Sequence, residues 1–400
     1  MHRPKAPSFD GVAYDEAMAS ARDLVPFLKE QAAAGDEARH LPAQVEAELH
    51  RTGLLRFLQP RRWGGMELDF VSWVDIPEML ARGDCSTAWN VSNLASHHRT
   101  LALFTERAQR DVWDADPDAL IASGIAYQFG RATPVDGGVR LSGRWPFCSA
   151  VIGAQWNILA CIVMDGDRPV DWCQCLLPAG DYEIVDDWRT LGMRGTGSCT
   201  VTVKDLFVPD YRVQSMATAL PGHHFPGAAI NTNPMYVIPT AALGPSGLGA
   251  CVVGTAQGAL DAMIEWVKSR STNYTGAKMR DFQTVQLRIG MAGARIDAAR
   301  LVLRQDLLDA EAIVCGGGTV PLETKLRYKR NICLAARMAV EAVDMLHELA
   351  GANGIYDSSP MQRMFRDVKS ASAHIHFSTD MQMTQWGNVA LGGEFKSPTM

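Results

Sequence analysis

Gly143-Arg144-Trp145-Pro146-Phe147-Cys148-Ser149 stands near the middle of the chain. Leu191-Gly192-Met193-Arg194-Gly195-Thr196-Gly197-Ser198 follows it, with Val208-Pro209 beyond. Around these stretches, from Leu120 to about Val213, the pattern is short β-prone runs broken by turn residues. Val139-Arg140-Leu141, Trp156 to Met164, Cys173 to Leu177 and Thr200 to Val203 are such runs. Asp136-Gly137-Gly138 predicts a hairpin turn. Outward on both sides the period becomes helical. Before the β region, helices are expected over Tyr14–Ala34, Leu41–Arg51, Phe70–Arg82 and Ser86–Leu103. After it they are expected over Leu248–Ser269, Asp281–Ala312, Leu322–Leu349 and Met361–Asn388. Four long helices with short connections predict an antiparallel bundle. The fold class expected is mostly α with a central β-domain. Residues 1–119 form an N-terminal helical domain, 120–225 a β-barrel-like middle domain and 226–400 a C-terminal four-helix bundle.

A chain of 400 residues with 47% hydrophobic and 20% charged residues has ample material for a core and is not a disordered chain. A net charge of −6 argues against general nucleic-acid binding, which needs Lys and Arg to neutralise phosphates. Nine cysteines are scattered without a CxxC pair, and Cys173-x-Cys175 is the only close spacing. Neither a metal site nor a disulfide framework is expected, and a reduced, cytoplasmic compartment fits. Met1-His2-Arg3-Pro4-Lys5 leads into polar sequence, so no signal peptide is expected. Val213 to Leu260 contains no Asp, Glu, Lys or Arg. Its many Pro and Gly residues predict a loop and then a buried bundle helix rather than a membrane span.

The middle motifs resemble those of the acyl-CoA dehydrogenase superfamily. Arg270, Gly351-Ala352-Asn353-Gly354 and Arg366-Asp367 continue the resemblance through the bundle. In the commonest acyl-CoA dehydrogenase subfamilies a Glu base lies about eight residues after the Arg-Asp pair, and others could carry it on another helix. Here that position is Ile375, and no Glu appears until Glu394. An isoleucine cannot abstract a proton. The stretch Ser372-Ala373-His374-Ile375-His376-Phe377-Ser378 instead resembles the flavin-dependent monooxygenases built on this fold, the oxygenase components of two-component aromatic hydroxylases such as the 4-hydroxyphenylacetate and secosteroid phenol hydroxylases.

That resemblance implies a chemistry and a set of residues. A separate NAD(P)H-dependent reductase would supply reduced flavin, FMNH2 or FADH2. O2 would add at C4a to give a hydroperoxide, and an electron-rich, phenolic ring would attack its distal oxygen. The flavin carries the chemistry, and the protein supplies position, proton control and dryness. His97, Ser123 and His374 are the catalytic candidates: His97 as proton acceptor for the substrate hydroxyl, Ser123 as a second hydrogen bond, His374 over the flavin. Trp89, Phe147, Ser149 and Arg270 are the cofactor-binding candidates. Ser149 would hold the N5 hydrogen, and Arg270 would clamp a flavin phosphate. The family usually has Gly after that Ser, and this chain has Ala150.

Other residues carry blander readings. His98 turns away from His97 on a helix, and His376 is structural. His223-His224 belong to a solvated loop, with a substrate lid as the alternative. Trp63, Trp73 and Trp113 are core. There is no GxGxxG after a strand, which agrees with nicotinamide binding by the reductase. Relatives associate as homotetramers, so a homotetramer is expected. A dehydrogenase of the same fold and a catalytically silent flavin- or ligand-binding relative stand as alternatives.

Overall fold

The computed structural model describes residues 7–216, 225–272 and 275–396. Five helices come first: α1 Tyr14–Ala38, α2 Ala43–Thr52, α3 Ser72–Ala81, α4 Cys85–Leu101 and α5 Glu106–Trp113. In α1 the buried residues Ala17, Ala21, Leu24 and Leu28 recur at helical spacing. Gly53, at φ 71°, ends α2, because a left-handed residue cannot continue the helix. The Asp84 carboxylate accepts the Thr87 N–H at 2.8 Å and starts α4. Nearly every residue of α4 is buried, so this helix is a central strut.

Eight strands follow: β1 Ile121–Gly124, β2 Gly130–Val135, β3 Gly138–Cys148, β4 Trp156–Asp165, β5 Arg168–Pro178, β6 Glu183–Val185, β7 Cys199–Pro209 and β8 Val213–Ser215. The sheet order is β6-β7-β3-β2-β4-β5-β8, with β1 pairing parallel to β4. Its centre is Trp145, fully buried, whose indole N–H donates to the Ala160 carbonyl at 2.6 Å. A Cβ at Gly130 would lie 2.3 Å from that indole, and one at Gly143 would lie 2.5 Å from it, so the motif's first glycine makes room for its tryptophan.

The bundle comprises α7 Ser246–Ser269, α8 Gln283–Cys315, α9 Leu322–Ala350, α10 Pro360–Ala371 and α11 Thr379–Ala390, preceded by the short α6 Thr240–Leu243. Thr240–Ser269 is long and apolar enough to cross a membrane by length and composition. Yet 72% of that window is buried within the chain, against α3, α4 and α9 among others. The charge-free segment before it is tied down by Arg99. This buried guanidinium donates to the carbonyls of Met235, Tyr236 and Ile238 at 2.9, 3.2 and 3.0 Å. His223 and His224 lie outside the described residues.

One expectation is corrected. The helix predicted over Met361–Asn388 is two helices separated by a 3-10 turn, Ile375–Phe377. His374 leaves the helical region, at φ −60° and ψ 140°, and its own side chain accepts the His376 N–H. A polar side chain competing locally for backbone donors ends the helix there.

Two motifs meet at the joint between sheet and bundle. Arg366 donates to the Leu191 carbonyl at 2.6 Å, and the Met193 N–H donates to the Asp367 carboxylate at 2.6 Å. A Cβ on Gly192 would lie 2.3 Å from the Arg366 carbonyl oxygen, so only glycine permits this approach.

Candidate active site

Helix α4 carries Trp89 and His97 eight residues apart. Eight residues of helix turn through about 800°, or roughly 80° net, and rise about 12 Å. The two side chains thus mark two ends of one strip.

At the His97 end the imidazole is locked between two partners. Nδ1 lies 2.6 Å from the Ile121 carbonyl oxygen, and Nε2 lies 2.8 Å from Ser123 Oγ. A carbonyl only accepts, so Nδ1 carries the hydrogen. Nε2 is then the acceptor and the Ser123 hydroxyl donates to it. Burial pushes the His97 pKa down to about 4, so the ring is neutral at pH 7. His97 is 7% exposed and Ser123 is half-buried, which makes Ser123 the more accessible member. His98 points into the core, where its Nδ1 accepts the Trp113 indole N–H at 3.1 Å. Trp73 and Trp113 are buried and Trp63 is half-buried.

At the Trp89 end three elements converge. The Trp89 indole N–H donates to Ser149 Oγ at 3.3 Å. The His374 ring packs edge-on against Trp89, with centroids 5.7 Å apart. In the 3-10 turn the His376 ring lies 5.1 Å from that of His374. Burial lowers the His374 pKa to about 4. Burial first, then the charges of His374 and Lys329, lower that of His376 to about 3. Among the described residues, the hydrogen bonds of Trp89, Ser149, His97, Ser123 and His374 side chains go to hydroxyl, ring and backbone atoms, and none goes to a carboxylate.

Ser149 sits in a strained turn. Phe147 at φ 63° and Ala150 at φ 59° both occupy the left-handed region on either side of it. The Ala150 N–H donates to the Thr196 carbonyl at 2.8 Å and pins the turn. Ala150, where the family has glycine, therefore adopts a glycine conformation. Behind Ser149 lie two hydroxyls from the Leu191–Ser198 motif: Ser198 Oγ at 2.8 Å, and Thr196 Oγ1 2.7 Å beyond it. Their Thr-x-Ser spacing was the only signal for them.

These residues fit a flavin ring. Phe147 is 70% exposed and Leu191 is 64% exposed, on the two loops that carry Ser149 and Ser198. Exposed apolar surface beside a hydroxyl with an open acceptor position suits a flat apolar ring bearing an N–H. Arg270 is not part of this cluster within one chain. It is exposed, donates to Asn353 Oδ1 at 3.0 Å and stacks over Trp266 at 5.0 Å. A surface recess of about 390 Å³ beside Arg61 and Asn233, and one of about 520 Å³ beside Thr384 and Phe395, include none of the candidate residues.

The fold also assembles a group that sequence spacing misses. Cys161 on β4 faces Cys173 and Cys175 on β5, with sulfur separations of 3.3, 3.9 and 3.9 Å. Three buried thiols lie close enough to share one soft metal ion. A structural zinc site takes four ligands, and no fourth Cys, His, Asp or Glu joins the group among the described residues.

Comparison with known proteins agrees with this geometry. Residues 16–114 match the acyl-CoA dehydrogenase N-terminal domain, and residues 246–379 match the acyl-CoA dehydrogenase C-terminal domain. The chain is 36% identical over 376 residues to the flavin-dependent monooxygenase, oxygenase subunit HsaA, of Rhodococcus jostii, spanning 94% of this chain and 97% of that one. It is 34% identical to the FADH(2)-dependent resorcinol hydroxylase, oxygenase component, of a Rhizobium species, spanning 93% of each. The crystal structure of 3-HSA hydroxylase from Rhodococcus sp. RHA1 superposes with a TM-score of 0.90 at 34% identity, covering 96% of this chain and 99% of that one.

Proposed function

The chain belongs to the flavin-dependent monooxygenase oxygenase components built on the acyl-CoA dehydrogenase fold, and from that premise we propose that it hydroxylates a phenolic substrate with reduced flavin and O2. The observation that carries this reading is the Ser123–His97 pair, a hydroxyl backed by a neutral imidazole with its acceptor nitrogen turned toward that hydroxyl. The names of relatives support the substrate class and the need for a separate reductase, and one name supports FADH2 over FMNH2.

When bound, reduced flavin with O2 supplies an electrophilic oxygen atom, one oxygen entering the ring and the other leaving as water. The protein's part is proton placement. The phenol hydroxyl donates to Ser123 Oγ, and Ser123 donates to His97 Nε2. A base with a pKa of about 4 does not deprotonate a resting phenol, whose pKa is near 10. It takes the proton only as the ring loses electron density and the hydroxyl turns acidic. The pair is thus matched to the transition state rather than to the bound substrate. His374 contributes a second neutral imidazole. Its Nδ1 accepts the His376 N–H, so Nε2 carries the hydrogen. Trp89, Phe147 and Ser149 bind the flavin ring, and Arg270 binds its phosphate.

Association is part of the reading. Leu287 and Met291 lie one turn apart on α8 and are 62% and 38% exposed, and Leu301 further along is 68% exposed. Such a stripe supports burial against further copies, in a homotetramer. The test supplies the purified protein with reduced flavin from a generic reductase, O2 and a panel of phenols. Catechol-type products in amounts matching O2 consumed support the proposal. Hydrogen peroxide alone across the panel, or dehydrogenation of an acyl-CoA, removes it.

A further inference from the structure

The hydroxyls behind Ser149 form a chain whose polarity is set at its buried end. Thr196 Oγ1 lies 2.8 Å from the Met193 carbonyl oxygen. A carbonyl cannot donate, so the one Thr196 hydroxyl hydrogen lies on that bond. Ser198 Oγ, 2.7 Å from Thr196 Oγ1, must then be the donor in their contact. With its hydrogen committed there, Ser198 accepts from Ser149 at 2.8 Å. Ser149 also receives the Trp89 indole N–H, which can only donate. Its remaining hydrogen-bonding capacity is a lone pair.

The anchor is rigid. The Met193 carbonyl also accepts the Trp188 indole N–H at 3.0 Å and the Thr196 N–H at 3.2 Å, and the Met193 N–H is held by Asp367. Thr196 and Ser198 are 1% and 4% exposed, so water does not compete for their bonds. Ser149, half-buried, is the accessible end of the chain.

We infer that Thr196, acting through Ser198, holds Ser149 as a hydrogen-bond acceptor and so makes the site select the N5–H of reduced flavin over the bare N5 of oxidised flavin. The inference rests on the flavin reading above and deepens it. Thr196 and Ser198 are positioning residues, because neither touches the cofactor. An acceptor facing N5–H makes a hydrogen bond; the same acceptor facing a bare nitrogen leaves two lone pairs opposed. The oxidised cofactor is what each turnover leaves behind, so this polarity also promotes its exchange with the reductase.

The test measures dissociation constants for oxidised flavin, and anaerobically for reduced flavin, in the parent protein and four variants. The parent should favour reduced flavin by at least about tenfold. Thr196→Val removes the buried acceptor, so Ser198 turns its hydrogen to Ser149 and Ser149 turns its own to the flavin. The preference should then fall about tenfold, with oxidised flavin bound more tightly than by the parent. Thr196→Ser keeps the hydroxyl and should restore the parent ratio. Ser198→Ala should shift the ratio as Thr196→Val does, and it serves as the test if the valine variant does not fold. Ser149→Ala should abolish the preference. A tighter oxidised complex is a gain that damage to the fold does not produce. An unchanged ratio in both Thr196→Val and Ser198→Ala, or a parallel weakening of both flavin forms, overturns the relay while leaving the flavin reading standing. A parent protein that binds neither form overturns both.

Discussion

The backbone N–H of Met193 donates to the carboxylate of Asp367 at 2.6 Å, and through this bond the loop that orients Ser149 is fastened to the helical bundle. Asp367 is 2% exposed, and burial, then the nearby Asp84 carboxylate, raises its pKa to about 7. The folded protein therefore keeps this proton up to about pH 7, whereas the unfolded chain releases it near pH 3.9. The folded state binds the extra proton between those values. The associated stability is full below about pH 4 and is lost as pH rises toward 7.

Asp367→Asn keeps the acceptor for Met193 and removes the ionisation. At pH 8 the variant should be more stable than the parent by ~1 to 4 kcal/mol, the upper figure being about three pKa units at 1.36 kcal/mol each. At pH 4 the two should be alike. Urea denaturation at both pH values checks this, and equal stabilisation at both would rule out the ionisation as its source.

On the proposed function, the Ser123–His97 pair should set the acid limb of activity. His97 becomes protonated only near pH 4. Product formation per flavin oxidised should therefore hold down through pH 6.5, where an ordinary histidine would fail, and collapse nearer pH 4. His97→Ala and Ser123→Ala should each lower hydroxylation by about 10² to 10⁴ while hydrogen peroxide is still released. A limb centred at pH 6.5 in the parent would show that His97 is not the titrating group.

Ala150 sits at φ 59° next to Ser149. A left-handed residue with a Cβ costs about 1 to 2 kcal/mol, and glycine costs about 0.5 to 1 kcal/mol through the unfolded chain. Ala150→Gly should thus raise stability by about 0.5 to 1 kcal/mol, opposite in sign to the usual alanine-to-glycine change. The urea midpoint reads this directly.

Eight of the nine cysteines are buried and Cys315 is exposed. A water-soluble maleimide should modify Cys315 first under native conditions, and the others only at the rate of opening. Mass spectrometry of timed samples identifies the sites. Early labelling of Cys161, Cys173 or Cys175 would mean that the β4–β5 region opens locally.

Much of this molecule is legible along the chain. The switch from helical to β period and back places the layers, because each period reports which residues one element buries. Trp145 amid glycines, Arg366-Asp367 and Gly192-Met193 are readable motifs, since backbone approach and buried ion placement tolerate few residue types. His97, Ser123, Ser149, Trp89 and His374 could be picked out by register, and the fold does gather them into two neighbouring groups. The break after Ala371 was not legible, because apolar spacing there suits a continuous helix and the competing bond from His374 to the His376 backbone depends on a rotamer. The meeting of Cys161 with Cys173 and Cys175 was hidden for a similar reason: strand pairing joins residues whose distance in sequence carries no signal. Directions of hydrogen bonds were beyond the sequence altogether. A serine can donate or accept, and which it does follows from the neighbours folding brings within 3 Å. Composition and pattern determined that there would be a bundle around a sheet; only the packed structure decided that Ser149 meets Trp89 and Ser198, and that His97 is a buried ring held between Ile121 and Ser123.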